Sequence, residues 1–163
     1  MQDLSPSCHR AKAPAPQVQQ PVPQVIVAIA TTGRPAILTG TLQHLAQLTD
    51  RPTRVVLSIT SAADIEHAPL ADLPFDLDIV EGPKGLSAQR NLAMAQTQPD
   101  DILLFLDDDF LVCDGFLQAT AALFAQNPQV AVATGTVRKD GILGPGLNHS
   151  DAESWLTDPL PQT

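Results

Sequence analysis

The run Ile102-Leu103-Leu104-Phe105-Leu106 passes directly into Asp107-Asp108-Asp109, and this junction constrains the chain more than any other stretch. A strand so apolar has no face fit for water, so it reads as a buried strand covered on both faces. Three carboxylates at its mouth repel one another and, if desolvated, would partly protonate unless a cation compensates. Oxygen-only ligands select a hard divalent ion, Mg2+ or Mn2+, which keeps some waters and completes its shell with substrate phosphate oxygens. The plainer alternative is a solvated acidic turn that caps the next helix, but Asp114 already stands where such a cap is expected.

The rest of the chain from Gln24 alternates strand and helix patterns. Val25-Ile26-Val27-Ala28-Ile29-Ala30 reads as a buried strand, and Thr31-Thr32-Gly33-Arg34-Pro35 turns the chain, with Pro35 suited to the first position of a helix. Leu38, Leu42, Leu45 and Thr49 form one stripe for packing on a sheet. Val55-Val56-Leu57-Ser58-Ile59 and the shorter Leu77-Asp78-Ile79-Val80 read as strands. Residues 85–97 read as a helix with Ala88, Leu92 and Ala95 on its inner face, ended by Pro99. A helix opening near Asp114 presents Phe116, Leu117, Thr120, Ala121 and Phe124 inward, and Val130-Ala131-Val132-Ala133 returns as another strand. Beyond it come Gly141, Gly144, Pro145 and Gly146, then a short helix expected over 151–156. The fold class implied is α/β, an open, mostly parallel sheet with helices packed against it.

Residues 1–23 carry Pro6, Pro14, Pro16, Pro21 and Pro23 among alanines and glutamines and read as a disordered tail. The remaining 24–163 suit one domain. A formal net charge of −9, more acidic still without the tail's Arg10 and Lys12, repels polyphosphate backbones and disfavours nucleic acid as a partner. Cys8 and Cys113 show no metal-ligand spacing, and a disulfide between them is not expected. No apolar run is long enough for a transmembrane segment, and the N-terminus lacks the apolar stretch of a secretory signal, so a cytoplasmic location is expected.

Two further constellations bear on chemistry. Gly82-Pro83-Lys84-Gly85-Leu86-Ser87-Ala88-Gln89-Arg90-Asn91 opens a helix, whose free N–H groups and partial positive charge suit an anion, with Lys84 and Arg90 adding full charges. A glycine-containing surface loop accounts for this stretch equally well when it is taken alone. The turn 31–35 lies at the same sheet edge, where its hydroxyls and backbone would receive a base or ribose; taken alone, it is an ordinary turn. It matches neither the Walker pattern nor the dinucleotide-binding glycine fingerprint. His44, on the first helix, and His67 and His149, in loops, have no zinc-site spacing.

Taken in order, Val25 to Pro35, Gly85-Leu86-Ser87-Ala88-Gln89-Arg90-Asn91, and the strand at Ile102 running through Asp107-Asp108-Asp109 to Gly115-Phe116-Leu117 resemble the landmarks of family 2 glycosyltransferases of the GT-A type. The resemblance covers 24–146 and implies a Rossmann-like nucleotide-sugar-binding half. It implies Asp107 and Asp109 as the metal-holding Asp-x-Asp carboxylates, with Asp108 between them. Thr31, Arg34, Lys84, Arg90 and Asp108 are the implied nucleotide-sugar-binding residues, Arg90 near the diphosphate and Thr31 beside the nucleoside. The chain departs from the family after the second strand, where acidic residues usually contact the base. Here Ser58-Ile59-Thr60-Ser61 intervenes, and the first acid is Asp64.

The implied reaction is inverting, metal-dependent transfer of a sugar from a nucleotide-diphosphate sugar to an unknown acceptor. The metal acts as Lewis acid and template, and a general base takes the acceptor proton. Asp151, Glu153 and Asp158 match no catalytic phrase of the family, so the acceptor-binding half and its base are expected outside this chain, on a complementary half. The alternatives are a nucleotide-sugar or metal-binding fragment without turnover, or half of a split enzyme. A third is a metal-dependent nucleotidyltransferase, for which Gly33-Arg34-Pro35 is a poor match.

Overall fold

The computed structural model describes residues 24–141 and 146–157. The expected tail over 1–23 lies outside them. Strands β1 (Val25–Ala30), β2 (Arg54–Ile59), β3 (Asp76–Glu81) and β4 (Ile102–Asp107) form one parallel sheet in the order β3-β2-β1-β4. Helices α1 (Pro35–Gln47), α2 (Leu86–Met94), α3 (Phe116–Gln126) and α4 (His149–Thr157) complete the regular elements, with 3-10 turns at Ala62–Asp64 and Ala68–Leu70. The expected α/β class with a parallel sheet is therefore what the chain adopts.

The inner strands β1 and β2 are buried almost throughout, as their unbroken β-branched and aliphatic runs require. On one face Val27, Ile29, Val55 and Leu57 meet Leu38, Leu42 and Leu45 of α1 and Leu117 of α3. On the other, Ile26, Ala28 and Val56 meet Ala93 of α2. The α1 stripe is as expected except at Thr49, which lies beyond the helix and is exposed, while Leu48 is buried instead.

Four expectations are corrected. β4 is an edge strand and is not covered on both faces: Phe105 is 38% exposed and Leu106 alone is buried. The physical reason lies in the second correction, since residues 130–133 form no ladder and Val132 is 85% exposed. No strand among the described residues therefore covers the outer side of β4. Third, α2 turns Gln89 and Ala93 inward while Ala88 and Ala95 are exposed; Gln89 tolerates burial because its amide nitrogen donates twice and its oxygen accepts from Gly85 N. Fourth, Asp114 does not cap α3. Its carboxylate accepts from Thr49 N and Oγ1 at 2.6 and 2.9 Å, and Asp50, from the end of the α1 loop, accepts from Gly115 N and Gln118 N at 2.8 Å each. The two aspartates clasp reciprocally, and Gly115 makes the turn at φ 81°, a left-handed geometry that favours glycine.

Candidate functional site

In the order β3-β2-β1-β4 the chain leaves β1 in one direction for β2 and β3 and returns on its other side as β4. Such a reversal opens a crevice at the carboxyl ends of the two strands where order switches, the usual ligand position of open parallel sheets. Thr31 follows β1 there, and Asp107 ends β4 there, with Ala30 and Asp107 in register. The loop that opens α2 closes a third side. A cleft of about 250 Å3 results, lined by Thr31, Thr32, Arg34, Lys84, Gly85 and Leu86, with Gln89 and Asp108 behind them.

The three aspartates do not share one position. Strand alternation persists past β4, so Leu106 and Asp108 are buried while Asp107 and Asp109 are exposed. Asp108, at 1% exposure, accepts a 2.6 Å hydrogen bond from Thr31 Oγ1 and takes the Arg34 guanidinium side-on, from Nε at 3.2 Å and from the adjacent Nη. The other Arg34 Nη donates to Asp109 at 2.9 Å. Arg90 donates to Asp107 at 3.1 Å and lies 5.6 Å over the Phe105 ring. Lys84 has no ion-pair partner among the described residues and faces the cleft. Arginines thus supply the compensation that the repulsion argument demanded.

Burial pushes the Asp108 carboxyl above the usual range, and the charge on Asp109 adds to this, against the Thr31 hydroxyl and the Arg34 charge. Burial alone would lower the Arg34 pKa, but the charges of Asp108 and Asp109 raise it, so this guanidinium holds its proton firmly. Backbone contacts fix the same loop from α1, whose Thr41 Oγ1 donates to the Asp108 carbonyl at 2.7 Å, while His44 Nε2 meets the Val112 carbonyl at 2.7 Å.

Three residues to which sequence reasoning assigned no role organise the site from beneath. Gln89 donates through its amide nitrogen to the Thr31 and Ser58 carbonyls at 2.8 and 2.9 Å, knitting α2 to the ends of β1 and β2. Its signal was a glutamine where an inner helix face calls for an apolar residue. Thr41 is the second. Asp64 is the third, and it is not free to contact a base. Its Oδ1 accepts from Gly33 N at 2.7 Å, and its Oδ2 accepts from Thr60 N, Thr60 Oγ1 and Ser61 N at 2.7, 2.8 and 3.1 Å. Burial opposes its charge, but these bonds outweigh burial and hold the carboxyl below the usual range.

Among the described residues no group of three or more His, Cys, Asp or Glu side chains converges as a ready metal cage. His149 is the first residue of α4 rather than a loop histidine, and its ring centroid lies 6.3 Å from that of His44. What remains at the crevice is the pair of exposed carboxylates on Asp107 and Asp109, whose side chains are 61% and 53% exposed. That donor set fits a hard divalent ion of the kind that binds through one or two carboxylates and takes its other ligands from water and substrate phosphates.

The family model for Glycosyl transferase family 2 matches residues 26–159, and the chain belongs to that family. Among solved structures, the chain is similar to S. aureus TarS 1-349, with a TM-score of 0.52 and 20% identity over 71% of this chain and 38% of that one. It is likewise similar to S. aureus TarS, with a TM-score of 0.52 and 19% identity over 73% of this chain and 24% of that one. The chain thus spans well under half the length of either structure, and the likeness concerns the fold. No curated protein sequence matches. No helix among the described residues is long and apolar enough to cross a membrane.

Proposed function

We propose that this chain binds a nucleotide-diphosphate sugar in the crevice between β1 and β4 and serves inverting, metal-dependent sugar transfer to an acceptor. The observation that carries the reading is the grouping of Thr31, Arg34, Lys84 and Asp108 along one cleft at the topological switch beside the α2 N-terminus, with Asp109 tied to Arg34, and Asp107, in register with Ala30, tied to Arg90 at the same strand ends. Asp107, Asp108 and Asp109 are balanced by Arg34, Arg90 and Lys84, so a diphosphate brings negative charge that the protein alone leaves uncompensated. Mg2+ or Mn2+ held by Asp107 and Asp109 would supply that compensation and polarise the leaving diphosphate. Asp108 serves the site through Thr31 and Arg34. Arg34, Arg90 and Lys84 meet the diphosphate, and the N–H groups at the start of α2 add donors to the same anion.

Asp114 is tied to Thr49 and Glu153 stands beside His149; neither they nor Asp140 and Asp151 line the cleft. The same reading takes the acceptor's general base from a complementary acceptor-binding half, as the family resemblance implies, and includes a cytoplasmic location. The described chain then binds donor but transfers little sugar alone, since losing a general base typically costs ~10²–10⁴-fold. Calorimetry with UDP and GDP, with and without Mn2+, tests the binding. Metal-dependent binding that disappears in Asp107→Asn/Asp109→Asn is expected; metal-independent binding, or binding that survives the double substitution, would remove the carboxylates from the site. Efficient transfer by the isolated chain in product assays would overturn the claim about the base.

A further inference from the structure

We infer that Asp64 is a positioning residue of the nucleotide site, holding the loop 31–34, and with it Arg34, in the conformation that meets the diphosphate. The inference rests on the function proposed above. Asp64 is 3% exposed, and its charge has no cationic partner among the described residues. A buried carboxylate without a counter-ion is costly unless hydrogen bonds satisfy it. Three N–H groups and one hydroxyl do so, and they come from two different loops: Gly33 after β1, and Thr60 and Ser61 after β2.

The consequence lies one residue along the chain. Thr31 is anchored by Ser58, Gln89 and Asp108, and Arg34 is anchored only through its side chain and the helix it opens. Gly33, at φ 68° and with open space around it, is the hinge between them, and its N–H bond to Asp64 is the hydrogen bond that fixes it to the scaffold. Without it the loop pivots at Gly33, and the Arg34 guanidinium loses a defined approach to Asp108, Asp109 and any anion above them. An amide at position 64 cannot substitute, because its nitrogen would face either the Gly33 donor or the Thr60 and Ser61 donors.

The test compares wild type, Asp64→Asn, Thr60→Val, which removes one of the donors to the carboxylate, and Asp50→Ala, which weakens the α3 cap far from the loop. Amide hydrogen exchange is read without ligand, and UDP with Mn2+ is titrated by calorimetry. In Asp64→Asn, exchange at Gly33 should rise while Val27 in β1 stays protected, and UDP affinity should fall about tenfold, the size of one lost charge-assisted hydrogen bond. Thr60→Val should move both readouts the same way by less, and it carries the test if Asp64→Asn does not fold. Asp50→Ala should lose stability with neither readout changed. Unchanged Gly33 exchange, unchanged UDP affinity in a folded Asp64→Asn, or an equal loss of affinity in Asp50→Ala would each overturn the inference. A wild type that binds no nucleoside diphosphate would overturn the proposed function itself, and the positioning role with it.

Discussion

Replacing each of Asp107, Asp108 and Asp109 singly by asparagine should separate stability from binding within three consecutive residues. At Asp108 the substitution removes the charge under Thr31 and beside the Arg34 guanidinium while keeping the shape. Hydrogen bonds to charged groups contribute about 1.5–3 kcal/mol each. Two effects hold the total near the low end: the Arg34 side chain is 46% exposed, which screens the pair, and the neutral amide escapes the burial cost that raises the Asp108 pKa. The expected loss is about 2 kcal/mol, or roughly 4–8 °C in Tm for a domain of this size. Asp107 and Asp109 make exposed pairs with Arg90 and Arg34, worth at most about 1 kcal/mol each. Thermal melting should therefore rank Asp108→Asn well below the other two, while calorimetry with UDP and Mn2+ should show the largest loss of affinity in Asp107→Asn and Asp109→Asn. A neutral Asp108→Asn, or flanking substitutions that destabilise as much as the central one, would refute the division of labour read from alternating burial.

Asp50→Ala should cost about 1 kcal/mol, the usual value of a helix cap, because both carboxylate oxygens serve α3 from another segment; urea titration checks it, and a neutral result would show the clasp to be idle. Acid should weaken the fold through Asp64 and Asp114, both held below the usual carboxylate range, Asp64 by bonds that outweigh burial and Asp114 by its bonds to Thr49. Their contribution is fully present above the unfolded pKa of about 4 and is lost as pH falls through the lower folded values. Asp108, whose pKa is raised, works in the opposite sense. Urea unfolding from pH 6 to pH 3 should show a smaller decline in Asp64→Asn than in wild type.

The inner half of the fold was legible because burial on both faces writes itself into composition: β1, β2 and the α1 stripe were all readable from runs of aliphatic residues. The edges were not. Ile102 to Leu106 is as apolar as an interior strand, yet strand position depends on what lies alongside, and residues 130–133 do not pair there. The loop chemistry was readable only in part for a related reason. The strand pattern put the aspartates at a strand mouth and the family resemblance set Thr31 and Arg90 beside them, but periodicity says nothing about which carboxylate turns inward after a strand ends.

That inward turn decides what the acidic cluster is for. If the three aspartates pointed into one site, their mutual repulsion would have to be met by an ion at all times. Alternating burial instead sends Asp108 down to Thr31 and Arg34 and leaves Asp107 and Asp109 above. The central residue binds the loop after β1 to the end of β4, so the two strands that flank the switch point are locked by a side chain from the motif itself. The outer residues pair with half-exposed arginines, contacts weak enough to give way to the metal and diphosphate proposed for them. A site arranged in this way draws its architecture from Asp108, while the Asp107 and Asp109 carboxylates contribute little to the fold and stay accessible.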